Sequence, residues 1–198
     1  MELDEVIHRR RMVRSFEDRP VPPGVVDGVL AHAVRAPSAG FSQGWSFVVL
    51  EGAEQTGVFW HTVTTPDWRA STRRTGLLRA PVVVLPLAHR QAYLDRYAEP
   101  DKEGAGLERA EAWPVPYWLI DTAFATMLML LSASDAGLGA AFVGIFRGES
   151  ELLATLGVPA GYRPIGAVAM GYPAADTPSP SVARGRRPME QVVHRGRW

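Results

Sequence analysis

The stretch Ala36-Pro37-Ser38-Ala39-Gly40-Phe41-Ser42-Gln43-Gly44-Trp45 lies between a helical pattern and an apolar run, and its reading decides the fold. A proline, two glycines, two hydroxyls and an amide give it no regular periodicity. Its backbone N–H and C=O groups therefore need partners outside helix or sheet. Two readings follow: a helix-to-strand connection with ordinary turn chemistry, or a loop whose backbone lies against a bound ligand. Upstream, Val25, Val26, Val29, Leu30, Ala33 and Val34 form an apolar stripe that starts after Pro20, Pro22 and Pro23 and stops at Pro37, which predicts a helix. Downstream, Trp45 to Glu51 is rich in aromatic and β-branched residues and predicts a strand.

Further out, Leu3, Val6 and Ile7 share one face at helical spacing, so a short amphipathic helix runs into Arg9, Arg10, Arg11 and Arg14. From Gly52 to Pro116 the pattern weakens, except at Pro81-Val82-Val83-Val84-Leu85-Pro86-Leu87-Ala88, which predicts a buried strand. Trp60, Trp68, Tyr93, Tyr97, Trp113, Tyr117 and Trp118 gather in this irregular part. They either pack a long excursion onto the core or wall the mouth of a site for a planar substrate. Tyr117 to Ala136 is apolar round most of a helix circumference, so it is either the central helix or has one side against a second copy of the chain. Its most apolar stretch, Trp118 to Ala133, falls short of membrane-spanning length and reads as part of a buried helix. Gly137 caps it. A strand over 140–146, a short helix over 149–156, a strand over 165–171 and a last strand-like piece over 191–194 complete an α+β fold around a mixed sheet.

The chain has 198 residues, 46% hydrophobic and 21% charged, which reads as one domain over 1–198 with a variable, lid-like segment at about 52–116. Basic and acidic residues balance at 21 each, so no overall field favours nucleic acid or an acidic membrane. The absence of cysteine removes disulfides and thiol catalysis and fits a cytoplasmic protein. An acidic N-terminus without an apolar segment argues against a secretory signal. The five histidines show no metal-ligand spacing, so no metal is expected.

Arginines cluster at both ends, including Arg10, Arg11 and Arg14, then Arg184, Arg186 and Arg187. They either converge on one dianion, for which a phosphate monoester is the obvious candidate, or form two solvated basic faces. Gly40-Phe41-Ser42-Gln43-Gly44 fits Gly-x-Ser-x-Gly, and His194 and Asp121 complete a hydrolase triad on paper. That motif needs strand before and helix after, the reverse of the order here. Asp121 inside the apolar helix has either a hydrogen-bonded structural role or a ligand contact.

Arg10-Arg11-Met12-x-Arg14-x-Phe16, then Pro37-Ser38-x-x-Phe41-x-Gln43-Gly44-Trp45, together with Gly137-Leu138-Gly139, Gly171-Tyr172-Pro173 and Arg187 to His194, resemble the nitroreductase family of flavin mononucleotide (FMN) enzymes. Met12 stands where members have serine, Phe41 where they have asparagine and Gly44 where they have proline. The resemblance implies a homodimer with flavin at the subunit interface. It puts the FMN phosphate on Arg10, Arg14, Arg184 and Arg186, with Arg11 and Met12 beside it. Pro37, Ser38, Ala39, Phe41 and Gln43 would lie along the ring and ribityl chain, and Val143 and Gly144 would approach the ring. It implies NADH or NADPH as reductant and a small aromatic or conjugated acceptor, with flavin N5 rather than a side chain carrying the chemistry. A flavin-binding or storage protein, holding FMN or a deazaflavin, is the alternative, and an esterase using Ser42 a third.

Overall fold

The computed structural model describes residues 1–72, 74–176 and 179–198. Its centre is β2 (Val82–His89), every residue of which is buried up to Ala88. Side chains alternate across a strand, and here the alternation feeds two cores. Val83, Leu85 and Leu87 pack on one face with Phe59, Trp60 and Leu152. Val82 and Val84 pack on the other with Val26, Val29, Met129 and Ala133. The result is three layers. Helices α3 (Gly52–Val63) and α7 (Glu149–Thr155) cover one side of the sheet, and α2 (Pro23–Ala33) and α6 (Tyr117–Asp135) cover the other.

The sheet runs β1 (Trp45–Glu51), β2, β5 (Ala167–Gly171), β3 (Gly139–Val143), with β4 (Tyr162–Pro164) also paired to β2. Among the described residues every strand ladder is antiparallel, so the expected mixed sheet is corrected. The reason lies in the excursion between β1 and β2, which leaves and returns at the same end of the sheet: Gly52 donates its N–H to Pro81 O at 2.9 Å. Among the described residues parallel pairing survives only as the isolated bridge of Met12 to Ala140. Pro86 lies inside β2. It falls between the residues paired with β5 (Val82–Val84) and those paired with β4 (Leu87–His89), where the ladder is interrupted and a missing N–H does no harm.

α6 ends as expected: Gly137 is left-handed (φ 76°) and Leu138 N–H reaches back to Ala133 O at 2.8 Å. At 19 residues α6 has the length and composition of a membrane span, contrary to the expectation that it falls short. Its burial is one-sided. Asp121, Thr122, Thr126 and Ser132 are buried, and the Ser132 hydroxyl lies 2.6 Å from His32 Nδ1 on α2. Phe124 and Met127 on the opposite side are 47% and 48% exposed. α1 (Leu3–Arg9) forms where expected, though only Val6 of its stripe is buried.

Four elements were not foreseen: α3, the short α4 (Pro66–Ser71) and α5 (Arg90–Tyr97), all inside the weakly patterned region, and the three-residue β4. One expected element is absent. The piece over 191–194 is no strand; a 3-10 turn, Met189–Gln191, occupies its start, and the outer edge of β3 is already taken by Met12 and Val13.

Candidate functional site

The arginine segment is an extended strip laid along β3. Val13 N–H donates to Ala140 O at 2.9 Å, Phe16 forms a bridge with Pro173, and Ala174 N–H donates to Ser15 O at 3.0 Å. Val13 and Phe16 are buried anchors, 3% and 0% exposed. Gly139 lacks a Cβ because Val13 occupies that space, 2.7 Å from where the atom would sit. Met12, at the serine position, turns its sulfur to Phe142 N–H at 3.4 Å and so ties the strip to β3.

Half-buried Arg14 stands at the junction of two cavities that share Arg14 and Arg74 in their walls. One, of about 510 Å3, is aromatic: Trp60, Trp68, Phe142 and Phe146 line it together with Val143 and Gly144. The other, of about 570 Å3, is polar, with Arg79, Ser15, Ser179 and Asp176. Asp176 accepts the Arg14 backbone N–H at 2.9 Å, while the Arg14 guanidinium has a long contact to Met12 O at 3.4 Å. The walls of the polar cavity thus carry three arginines and one aspartate. A flat molecule with an anionic end fits this division, because guanidinium forks match phosphate oxygens and aromatic walls match a ring system. Arg74 and Arg79 were missed in the sequence, and the only signal for them was the basic pair Arg73-Arg74, whose first member lies outside the described residues.

Arg10 and Arg11 lie apart from this pair of cavities, in a third of about 240 Å3 beside the Gly137–Gly139 turn. Arg184 closes an exposed 3-10 turn and Arg186 is exposed beyond it; the tail reaches the Arg14 cavity through Ser179 and Pro180 instead.

The loop ahead of β1 is tightly bonded. Ser38 Oγ accepts Gln43 N–H at 2.9 Å, and Ser42 Oγ donates to Ala39 O at 2.6 Å. Gly40, Phe41 and Gln43 all have left-handed backbone, at φ 60°, 57° and 48°. For Phe41 and Gln43 that conformation costs energy. Phe41 is 73% exposed and Pro37 is also exposed. Outside the loop, Ala39 N–H donates to Asp121 Oδ2 at 2.8 Å, Tyr93 Oη donates to the same oxygen at 2.9 Å, and Arg96 Nε donates to Gly40 O at 2.8 Å. Burial first, then the bond to Asp121, raises the Tyr93 pKa above the usual tyrosine range, so the phenol remains a donor. Gly44 replaces a proline for a visible reason: Tyr93 Cε2 lies 2.4 Å from where a Cβ would stand.

The middle aromatics divide between the two roles considered. Tyr93, Tyr97, Trp113 and Trp118 pack on one another edge to face behind the loop, whereas Trp60 and Trp68 wall the Arg14 cavity. No hydrolase triad is assembled: Ser42 bonds Ala39 O, Asp121 bonds Ala39 and Tyr93, and His194 stacks on Trp198 in the exposed tail.

β1 and β3 are opposite edges of the sheet, three strand spacings or about 14 Å apart. The loop and Arg14 therefore do not share either cavity within one chain.

A family model described as the nitroreductase family matches residues 7–172. The chain is 30% identical over 210 residues to a 5,6-dimethylbenzimidazole synthase of Rhodospirillum rubrum, covering 98% of this chain and 93% of that protein. It is 28% identical to an NADH dehydrogenase of Thermus thermophilus, covering 93% and 91%. Among solved structures it resembles a nitroreductase-type protein of Desulfovibrio desulfuricans in complex with FMN, at TM-score 0.68 and 25% identity over 98% of this chain and 95% of that one.

Proposed function

The chain belongs to the nitroreductase family, and from that premise we propose that it is an FMN-dependent oxidoreductase that acts as a homodimer. The observation that carries the reading is the pair of cavities joined at Arg14 and Arg74, one lined by guanidinium groups and the other by aromatic rings. Arg14, Arg74 and Arg79 would hold the phosphate of FMN, and Val143 and Gly144 would approach its ring. Bound FMN would supply the hydride-accepting N5 between NADH or NADPH and a small conjugated acceptor such as a nitro compound or quinone. The chain's own part is to bind, orient and exclude water.

The loop at the other edge of the sheet enters this reading through a second copy, whose Phe41 and Gln43 would meet the ring from outside. The apolar side of α6 supports that arrangement, since Phe124 and Met127 are left half exposed. Phe124→Glu combined with Met127→Glu is expected to halve the mass seen by sedimentation equilibrium and to lower FMN occupancy with it. A full-mass dimer in that variant would place the interface elsewhere.

The central test is spectroscopic. The purified protein with FMN should show the bound-flavin visible bands, bleach anaerobically with NADH or NADPH, and recolour on adding an acceptor. A yellow protein inert to both nicotinamides would instead be a flavin-binding module. The Rhodospirillum rubrum relative, similar over nearly the whole chain, makes a second reading concrete, and chromatography of the same incubations for 5,6-dimethylbenzimidazole tests it.

A further inference from the structure

We infer that Asp121 and Tyr93 form a positioning pair that holds the Pro37–Gln43 loop in the shape in which it meets the flavin; this rests on the function proposed above. Asp121 is 2% exposed in a largely apolar helix, and the cost of burying a carboxylate there needs a compensating set of donors. Those donors are on the page. The Ala39 N–H and the Tyr93 hydroxyl converge on one oxygen, Oδ2, from the loop and from α5. Ala39 immediately precedes the left-handed Gly40 and Phe41, so the bond fixes the point from which the strained backbone departs. The other side is held by Arg96, which grips Gly40 O and is itself forked onto Asp101 at 2.7 Å through both terminal nitrogens.

Two of the departures from the family pattern, Phe41 and Gly44, become one device. Tyr93 occupies the space a side chain at position 44 would need, and its hydroxyl completes the Asp121 site. The loop, so pinned, leaves the Phe41 ring standing in solvent. None of these residues lines the Arg14 cavities, so each acts by placing the loop.

Four variants test the pair. Ala39→Pro deletes one donor while leaving Asp121 and Tyr93 intact, and the extended Ser38 ahead of it (φ −143°, ψ 147°) accepts a following proline. Tyr93→Phe deletes the other donor and keeps the ring. Asp121→Leu removes the acceptor, and Asp121→Asn keeps an oxygen. Hydrogen exchange of a peptide spanning 36–45, measured without flavin, should speed up at least tenfold in Asp121→Leu and Tyr93→Phe and less than twofold in Asp121→Asn. In fluorescence titrations with FMN, Ala39→Pro and Asp121→Leu should bind at least fivefold more weakly and change the visible circular dichroism of bound flavin, with Asp121→Asn restored to within twofold of wild type. Folded Ala39→Pro and Tyr93→Phe proteins with wild-type affinity and dichroism would overturn the pair. So would an Asp121→Asn protein as impaired as Asp121→Leu. Wild-type protein that takes up no FMN fails at an earlier stage, and it removes the proposed function and the pair's role together.

Discussion

Arg14→Ala is expected to weaken FMN binding about 10- to 100-fold, the loss of about 1.5–3 kcal/mol that a charge-assisted bond to phosphate supplies. Fluorescence quenching on titrating the apoprotein with FMN measures it. Arg14 is the right position to probe because it is shared by the aromatic and the polar cavity, whereas Arg10 and Arg11 face a separate, smaller one. The same titration with Arg10→Ala decides between the two places for a phosphate. A near-normal affinity there, beside a large loss in Arg14→Ala, puts the anion at the Arg14–Arg74–Arg79 cluster. The reverse order would move it to the cavity beside the Gly137 turn and would separate the phosphate from the aromatic walls. Raising salt should cost wild type more affinity than Arg14→Ala, because the variant has less charge to screen.

The four longer strands and the long helix were readable because their signals are local. β2 is an unbroken apolar run, α6 has a long apolar pattern with a glycine stop, and both appear where those patterns lie. α3 was not readable: Gly52, Gly57 and several β-branched residues make it a poor helix by propensity, and it forms because Phe59 and Trp60 bury themselves on the sheet. That is also why Arg74 and Arg79, on the return path of the same excursion, went unnoticed. The site suffered from a different limit. Sequence shows that an arginine strip and a Pro-Ser loop are present, but strand order is set by pairing between distant segments. Only that order reveals that β1 and β3 are opposite edges, so that the loop and the arginine strip do not meet within one copy. The expected convergence of Arg184 and Arg186 on Arg14 lacks even that support, since both stand on the exposed tail.

Phe16→Ala is expected to cost about 3–5 kcal/mol of stability, the usual range for deleting a fully buried aromatic side chain. For a chain of this size that corresponds to a melting point lower by roughly 6–20 °C, followed by circular dichroism. The effect should reach the site as well, because Phe16 joins its parts. The ring is 0% exposed and rests against Gly171, the N–H donates to Gly76 O at 3.3 Å, and the carbonyl accepts Arg79 Nε at 3.2 Å. Arg14 lies two residues before it, and Gly76 belongs to the 3-10 turn Thr75–Arg79 that follows Arg74. With the ring gone, the strip loses the anchor that sets Arg14 opposite Arg74 and Arg79. FMN affinity measured well below the new melting point should therefore fall along with stability. Phe16→Leu, which refills most of the volume, should recover most of both. A Phe16→Ala protein that melts early yet binds FMN as wild type would show that the arginines are held by β3 alone, through Val13 and Met12, and that the phenylalanine serves only the core.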